Sequence, residues 1–214
     1  MTRTLLCLGD SNTHGTVPMR DAAALMQRFP RADRWVTRLQ AALPDWEVIA
    51  EGHPGRTTVH DDPVSGAHKN ALRVLPALLE THRPIDVVLV MLGTNDLKNR
   101  FRVSASDIAL SVERLVREIG NSRAGPAGGA PSVLLAAPPP ILEAGCLAGE
   151  FAGGAVRSQG LGREIAAVAA RAAVPFVDLG EHVRVSEIDG VHYDAAANPV
   201  IARLFADAIR HHFP

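Results

Sequence analysis

The run over residues 85–92 constrains the fold of this 214-residue chain more than any other segment. It reads Ile-Asp-Val-Val-Leu-Val-Met-Leu, so only one of its positions is polar. A strand that is apolar on both faces is typical of the middle of a parallel sheet that helices cover on both sides. The run therefore predicts a buried central strand within a layered α/β architecture.

Short apolar runs alternate along the chain with segments of helical periodicity. The predicted strands are residues 4–8, 46–50, 85–92, 132–137 and 174–178. The predicted helices are residues 34–43, 71–81, 106–119, 162–172 and 195–212. Because helical connections imply parallel strands, we expect an α/β fold, a three-layer α/β/α sandwich of about five parallel strands. We expect it to form one domain over residues 1–214.

Composition excludes several classes of protein. The mass of 22.8 kDa, 47% hydrophobic and 21% charged residues are those of a globular chain. A formal net charge of -1 leaves no positive field for nucleic acid, which we do not expect as a partner. The uncharged stretch over residues 124–142 is interrupted by prolines, so no membrane span is predicted.

The N-terminal apolar run over residues 5–8 is shorter than the core of a signal peptide. Two cysteines cannot form a disulfide framework, and Cys7 lies in that apolar run, where a buried thiol is expected. We therefore expect a cytoplasmic protein. The cysteines and scattered histidines lack zinc-site spacing, so no metal or cofactor is expected.

Two segments lie outside the alternation. Residues 52–69 and residues 138–157 carry many glycines and prolines, and the second is poor in charge. Ligands of parallel sheets bind at the carboxyl ends of the strands. We therefore expect both segments to form long loops at the rim of a pocket.

Polar residues follow the first predicted strand, in the order Gly9, Asp10, Ser11, Asn12. This places the hydroxyl of Ser11 on a strand-to-loop turn that faces the crevice. Taken alone, the same residues fit a helix cap or a phosphate-cradling loop equally well.

Asp189 and His192 lie just before the last predicted helix. A carboxylate three residues before an imidazole can bind one ring nitrogen and leave the other free for a hydroxyl. A serine needs such a base to become a nucleophile at neutral pH. Alone, the two residues would be a turn residue and a helix-start residue.

Asn95 follows the central strand, and Gly55 follows the second strand. The amide of Asn95 and the unhindered backbone N–H of Gly55 are candidate donors to an oxyanion. Strand termination and a tight turn are the structural alternatives for these two positions.

The four motifs together resemble the SGNH, or GDSL-type, hydrolase family, from residue 3 to the last helix. The likeness is closest to its intracellular arylesterase and acyltransferase branch, on Arg56-Thr57-Thr58, Asp61-Asp62-Pro63, Gly93-Thr94-Asn95-Asp96 and Pro138-Pro139-Pro140. The resemblance implies a flavodoxin-like sandwich, Ser11 as nucleophile, His192 as base and Asp189 as its partner. It implies an oxyanion hole from Ser11, Gly55 and Asn95.

Within this framework we expect Asp10, Asn12 and Thr94 to contact substrate. Arg56 is a structural ion pair or, as the alternative, a substrate ligand. Asn12 occupies the position of the leucine in the Gly-Asp-Ser-Leu motif after which the family is named. This difference alters the polarity of the pocket more than the mechanism. At positions 14–16 the best-known acyltransferases of the branch carry aromatic residues and this chain has His-Gly-Thr, so efficient acyl transfer in water is not expected.

The expected activity is hydrolysis of short-chain carboxylic esters, aryl acetates or acetylated sugars, through an acyl-enzyme, with acyl transfer as a side activity. The branch resemblance also implies a homo-oligomer, and the poorly charged segment 138–156 supports it as exposed apolar surface. Two other functions compete: a flavodoxin-like mononucleotide-binding module, and a phosphatase with Asp10 as nucleophile. The phosphatase is disfavoured because position 12 is not a second carboxylate.

Overall fold

The computed structural model describes residues 2–214. Within that range the strands are β1 (Arg3–Gly9), β2 (Trp46–Gly52), β3 (Val87–Met91), β4 (Ser132–Ala137) and β5 (Phe176–Asp178). The α-helices are α1 (Ser11–His14), α2 (Trp35–Ala42), α3 (Ala71–His82), α4 (Ala105–Gly120), α5 (Gly154–Ser158), α6 (Leu161–Ala172) and α7 (Ala197–His212). Single turns of 3-10 helix lie at Arg31–Asp33, Ala67–Lys69, Asn95–Leu97, Pro126–Gly128, Gly145–Leu147 and Leu179–Glu181.

The five strands form one sheet in the order β2-β1-β3-β4-β5, and every neighbouring pair is parallel. This is the flavodoxin-like order, and the predicted α/β fold is confirmed. Gly9 at the end of β1 pairs with Gly52 on one side and with Met91 on the other. The segments that leave β1, β2 and β3 therefore start side by side, next to the point where the strand order reverses.

Helices cover both faces of the sheet, as the central apolar run predicts. On β3, Val88 and Val90 pack in the core with α3, α4 and α6, whereas Val87 and Leu89 pack in the core with α2 and α7. All residues of β3 are buried. The alternation of side chains along a strand explains why a double-sided core requires an uninterrupted apolar sequence.

The differences from the predicted elements are local. β5 begins at Phe176 because the preceding Pro175 has no N–H to donate to the ladder. Helices α1 and α5 are absent from the sequence-based prediction, since four or five residues are too few to show a helical period.

None of the helices within residues 2–214 combines the length and apolar character that crossing a membrane requires. Over the same range, no three His, Cys, Asp or Glu side chains are grouped closely enough to hold a metal ion.

Candidate active site

Ser11 lies at the carboxyl edge of the sheet because β1 ends there. The strand stops at Gly9, Asp10 is the N-cap, and Ser11 is the first residue of α1. Oδ1 of Asp10 accepts a 2.9 Å hydrogen bond from the backbone N–H of Asn12. This bond satisfies one of the donors left unpaired at a helix start. The turn expected at Ser11 is thus a capped helical turn.

Three side chains from two distant parts of the sequence form one hydrogen-bonded series. Oγ of Ser11 lies 3.0 Å from Nε2 of His192, and Nδ1 of His192 lies 2.6 Å from Oδ2 of Asp189. An ionised carboxylate only accepts hydrogen bonds, so Nδ1 of the neutral imidazole donates to it and Nε2 accepts from the hydroxyl. The hydroxyl of Ser11 is therefore in direct contact with a base.

The carboxylate of Asp189 is held in its charged form. Burial alone would raise its pKa, but hydrogen bonds from the ring and backbone of His192 and from the backbone N–H of Met19 lower the pKa to about 2. The Met19 bond is 2.6 Å long, and the backbone N–H of Val191 donates to the other oxygen at 3.0 Å. A fixed negative charge orients the imidazole and stabilises the imidazolium that forms when it takes a proton.

Two further candidate donors lie beside Ser11. Asn95 starts the single turn after β3, and Gly55 follows β2 with a φ of +80°, a conformation that favours glycine. Both residues line the same cavity of about 250 Å³ as Ser11 and His192. Uncharged amide donors grouped around a hydroxyl nucleophile are what an oxyanion hole requires.

Asp10 lies behind this cavity and is almost completely buried. Its Oδ2 accepts a 3.3 Å hydrogen bond from Nδ2 of Asn95, which orients that amide. Burial raises the pKa of Asp10 to about 6, although the bond from Asn12 and the neighbouring His192 act in the opposite direction. The site therefore contains two carboxyl groups whose pKa values are shifted in opposite directions.

The predicted substrate contacts of Asp10, Asn12 and Thr94 need correction. All three are buried, and none of them lines the cavity. Nδ2 of Asn12 donates to the backbone oxygen of Val191 at 3.2 Å, and the indole of Trp35 donates to the backbone oxygen of Asn12 at 2.9 Å. The first contact connects α1 to the loop before α7, and the second connects α1 to α2. Both hold the helix that carries Ser11 in place.

Arg56 has the structural role that the sequence favours. Its guanidinium is buried, with Nη1 donating to the backbone oxygen of Gly9 at 3.0 Å and also to that of Glu51. Nη2 lies 3.9 Å from Oε2 of Glu51. The arginine thus joins the ends of β1 and β2 beneath the site.

The rest of the cavity lining comes mainly from loops. Both segments predicted as a rim contribute to it, which confirms that prediction. The further lining residues are Met19, Ala22, Met26, Pro54, Ser65, Lys69, Lys98, Leu147, Glu150, Phe151 and Val191. Three of these come from the stretch over residues 15–34, which the sequence analysis missed. The available signal was the length of that stretch without periodicity, since long structureless loops in compact domains are commonly functional.

A parallel α/β sheet with a hydroxyl, an imidazole and a carboxylate in series at its carboxyl edge defines a hydrolase of the serine type. The sequence matches the GDSL-like Lipase/Acylhydrolase family over residues 7–199, and the chain belongs to that family. The comparison with curated proteins gives no match.

Solved structures give close matches. The inhibitor-bound M. smegmatis aryl esterase is 37% identical, with a TM-score of 0.92 over 98% of this chain and 99% of that one. Est24, a carbohydrate acetylesterase from Sinorhizobium meliloti, is 34% identical, with a TM-score of 0.93 over 99% of this chain and 100% of that one. The lipase/acylhydrolase from Enterococcus faecalis, at 20% identity and a TM-score of 0.65 over 98% and 96%, shares the fold.

These findings confirm the resemblance to SGNH hydrolases, and the protein is a carboxylic ester hydrolase of the serine type. The mononucleotide-binding alternative is not favoured. Its candidate phosphate cradle, the turn after β1, instead presents a serine to a histidine base.

Proposed function

We propose that this protein hydrolyses short-chain esters, aryl acetates or acetylated sugars, through an acyl-enzyme on Ser11. One observation carries the proposal: the hydrogen-bonded series from Ser11 through His192 to Asp189 opens into a cavity that also contains Gly55 and Asn95. The aryl esterase and the carbohydrate acetylesterase among the similar structures support the substrate class.

In the first half-reaction, Oγ of Ser11 attacks the ester carbonyl carbon while Nε2 of His192 takes the hydroxyl proton. The negative charge that develops on the carbonyl oxygen is stabilised by the backbone N–H groups of Ser11 and Gly55 and by the amide of Asn95. The C–O bond to the leaving alcohol then breaks, and His192 gives its proton to that alcohol. The acyl group remains as an ester on Ser11.

In the second half-reaction, a water molecule takes the place of the alcohol. His192 removes its proton as the water oxygen attacks the acyl carbon, and the ester bond to Ser11 breaks. The proton returns to Oγ, and the carboxylic acid leaves. Asp189 stays ionised throughout, in accordance with its low pKa, and balances the charge of the transient imidazolium.

The size of the cavity favours substrates with small acyl groups. Its volume is about 250 Å³, below the roughly 300–1,000 Å³ common for ligand pockets. Glu150, Lys69 and Lys98 give part of its wall a polar character that admits water. We therefore propose that hydrolysis dominates and that transfer to other alcohols is a side activity.

The test compares the wild-type protein with Ser11→Ala on p-nitrophenyl acetate, butyrate and octanoate. We expect the variant to lose about 10⁴-fold or more in kcat, and the wild type to prefer acetate. A variant as fast as the wild type would overturn the role of Ser11. A preference for octanoate would overturn the short-chain assignment and leave the mechanism intact.

We also propose a homo-oligomer that acts in the cytoplasm. Leu142 and Val156 lie in the poorly charged segment 138–156 with exposures of 43% and 81%, which supports burial against a second copy. Both cysteines, Cys7 and Cys146, are free thiols, as is usual in a reducing compartment.

A further inference from the structure

Lys69 is a cation in the active-site cavity that none of the mechanistic steps uses. It closes the single turn Ala67–Lys69 just before α3 and lines the cavity together with Ser11 and Gly55. Its aliphatic stem runs alongside Gly55, because a Cβ on that glycine would lie 3.4 Å from Cε of Lys69. The ammonium group is therefore next to a candidate oxyanion donor.

The ammonium group is held by uncharged partners. Nζ donates to the backbone oxygen of Pro54 at 2.8 Å and lies 3.2 Å from Nε2 of His53. Burial, then the charges of Lys69 and Arg56, lowers the pKa of His53 to about 4. The imidazole is thus neutral near pH 7 and can accept from Lys69. Two of the three N–H bonds are used, and one remains for a ligand.

The other charges in this part of the cavity cancel each other. Nζ of Lys98 lies 3.2 Å from Glu150 and 3.7 Å from Asp62, and Arg100 pairs with the same two carboxylates at 2.6 and 2.8 Å. Two cations thus face two anions. Within residues 2–214, Lys69 has no carboxylate within ion-pair distance. Burial, followed by the nearby Lys98, lowers the pKa of Lys69, whereas Asp62 raises it without forming an ion pair, and a bound anion would act in the same direction as Asp62.

We propose that Lys69 forms an anion subsite that selects esters whose alcohol part carries a carboxylate, such as acetylated aryl acids or acetylated sugar acids. The proposal rests on the proposed esterase function and adds a substrate class to it. The remaining N–H of the ammonium donates to the substrate carboxylate while Ser11 attacks the acetyl group. Because the alcohol part keeps its charge throughout the reaction, the contact contributes to binding in the ground state and the transition state alike.

The experiment uses two substrates of nearly equal shape, 4-acetoxybenzoate and its neutral amide, 4-acetoxybenzamide. The ratio of their kcat/KM values is measured for the wild type, Lys69→Met and Lys69→Arg. We expect Lys69→Met to lower the ratio on the order of tenfold, mainly through KM for the benzoate. We expect Lys69→Arg to restore most of it, because the cation returns. O-acetyl glucuronate against O-acetyl glucose, measured in the same way, distinguishes sugar acids from aryl acids as the source of the carboxylate.

Arg163→Gln is the matched control, since it removes one cation from a different cavity beside β5. Its ratio should equal that of the wild type. A ratio that stays unchanged in Lys69→Met for both substrate pairs would overturn the subsite. So would equal losses on charged and neutral esters, which would make Lys69 a support for the Gly55 loop. A wild type inactive on all of these esters would instead overturn the proposed function.

Discussion

Replacement of Asp10 by Asn tests whether the buried carboxyl beneath the site lowers the stability of the protein when it ionises. The change keeps the size of the side chain and one acceptor oxygen for the N–H of Asn12, but removes the ionisation. The pKa of Asp10 is raised by burial from its ordinary value of 3.8 to about 6. A group with a raised pKa contributes to stability below its unfolded-state pKa, and this contribution is lost as the pH rises through the folded-state value.

The size of the effect on stability follows from the rise of the Asp10 pKa from 3.8 to about 6, since each pKa unit corresponds to about 1.4 kcal/mol. Above pH 7, ionised Asp10 therefore costs the wild type about 3 kcal/mol of unfolding free energy, and at pH 4.5 the cost is about 1 kcal/mol. The Asp10→Asn variant does not titrate here. Its stability relative to the wild type should rise by about 2 kcal/mol between pH 4.5 and pH 7.5.

The assay is urea unfolding of both proteins at several pH values in this range. The variant should also lose about 1 kcal/mol of unfolding free energy at every pH. The amide nitrogen that replaces Oδ2 cannot accept the 3.3 Å hydrogen bond from Asn95. The dependence on pH is therefore the diagnostic quantity. Asp207→Asn, at an exposed carboxylate of α7, supplies the baseline. A difference between Asp10→Asn and wild type that is flat or falls with pH would refute the reasoning.

Two further predictions concern the oxyanion donor and the assembly. Asn95→Ala should lower kcat on p-nitrophenyl acetate by about 10²–10³-fold, because one preorganised donor is worth roughly 2.7–4 kcal/mol in the transition state. Asn121→Ala, at the end of α4, is its control, and an unchanged kcat in Asn95→Ala would remove that residue from the oxyanion hole. Light scattering should give a mass of at least twice 22.8 kDa, whereas a monomeric mass would contradict the proposed homo-oligomer.

The fold could be predicted from local patterns. Every residue of β3, Val87–Met91, is apolar, and this follows from burial on both faces of the sheet. The bounds of β4 agree with the prediction, and those of β5 shift because Pro175 cannot donate to the ladder. Two short helices escaped prediction, since periodicity needs more residues than they contain.

Ser11, Asp189 and His192 could be predicted from the sequence, because each lies in a short local motif that resembles the family. The supporting contacts had no such signature. Asp10 and Asn12 lie next to Ser11 in sequence, yet their side chains bond residues from other loops: Oδ2 of Asp10 accepts from Asn95, and Nδ2 of Asn12 donates to the backbone oxygen of Val191. Residues remote in sequence supply the partners, and only packing selects them.

Sequence alone therefore determined the alternation of strands and helices, the parallel sheet and the identity of the residues that follow its strands. These are local properties, set by side-chain chemistry and by periods of two and 3.6 residues. Tertiary structure decided which groups are charged and free. The low pKa of Asp189, the raised pKa of Asp10 and the unneutralised ammonium of Lys69 depend on burial and on neighbours contributed by other loops. Electrostatic energy depends on distance through space, which the order of residues does not specify.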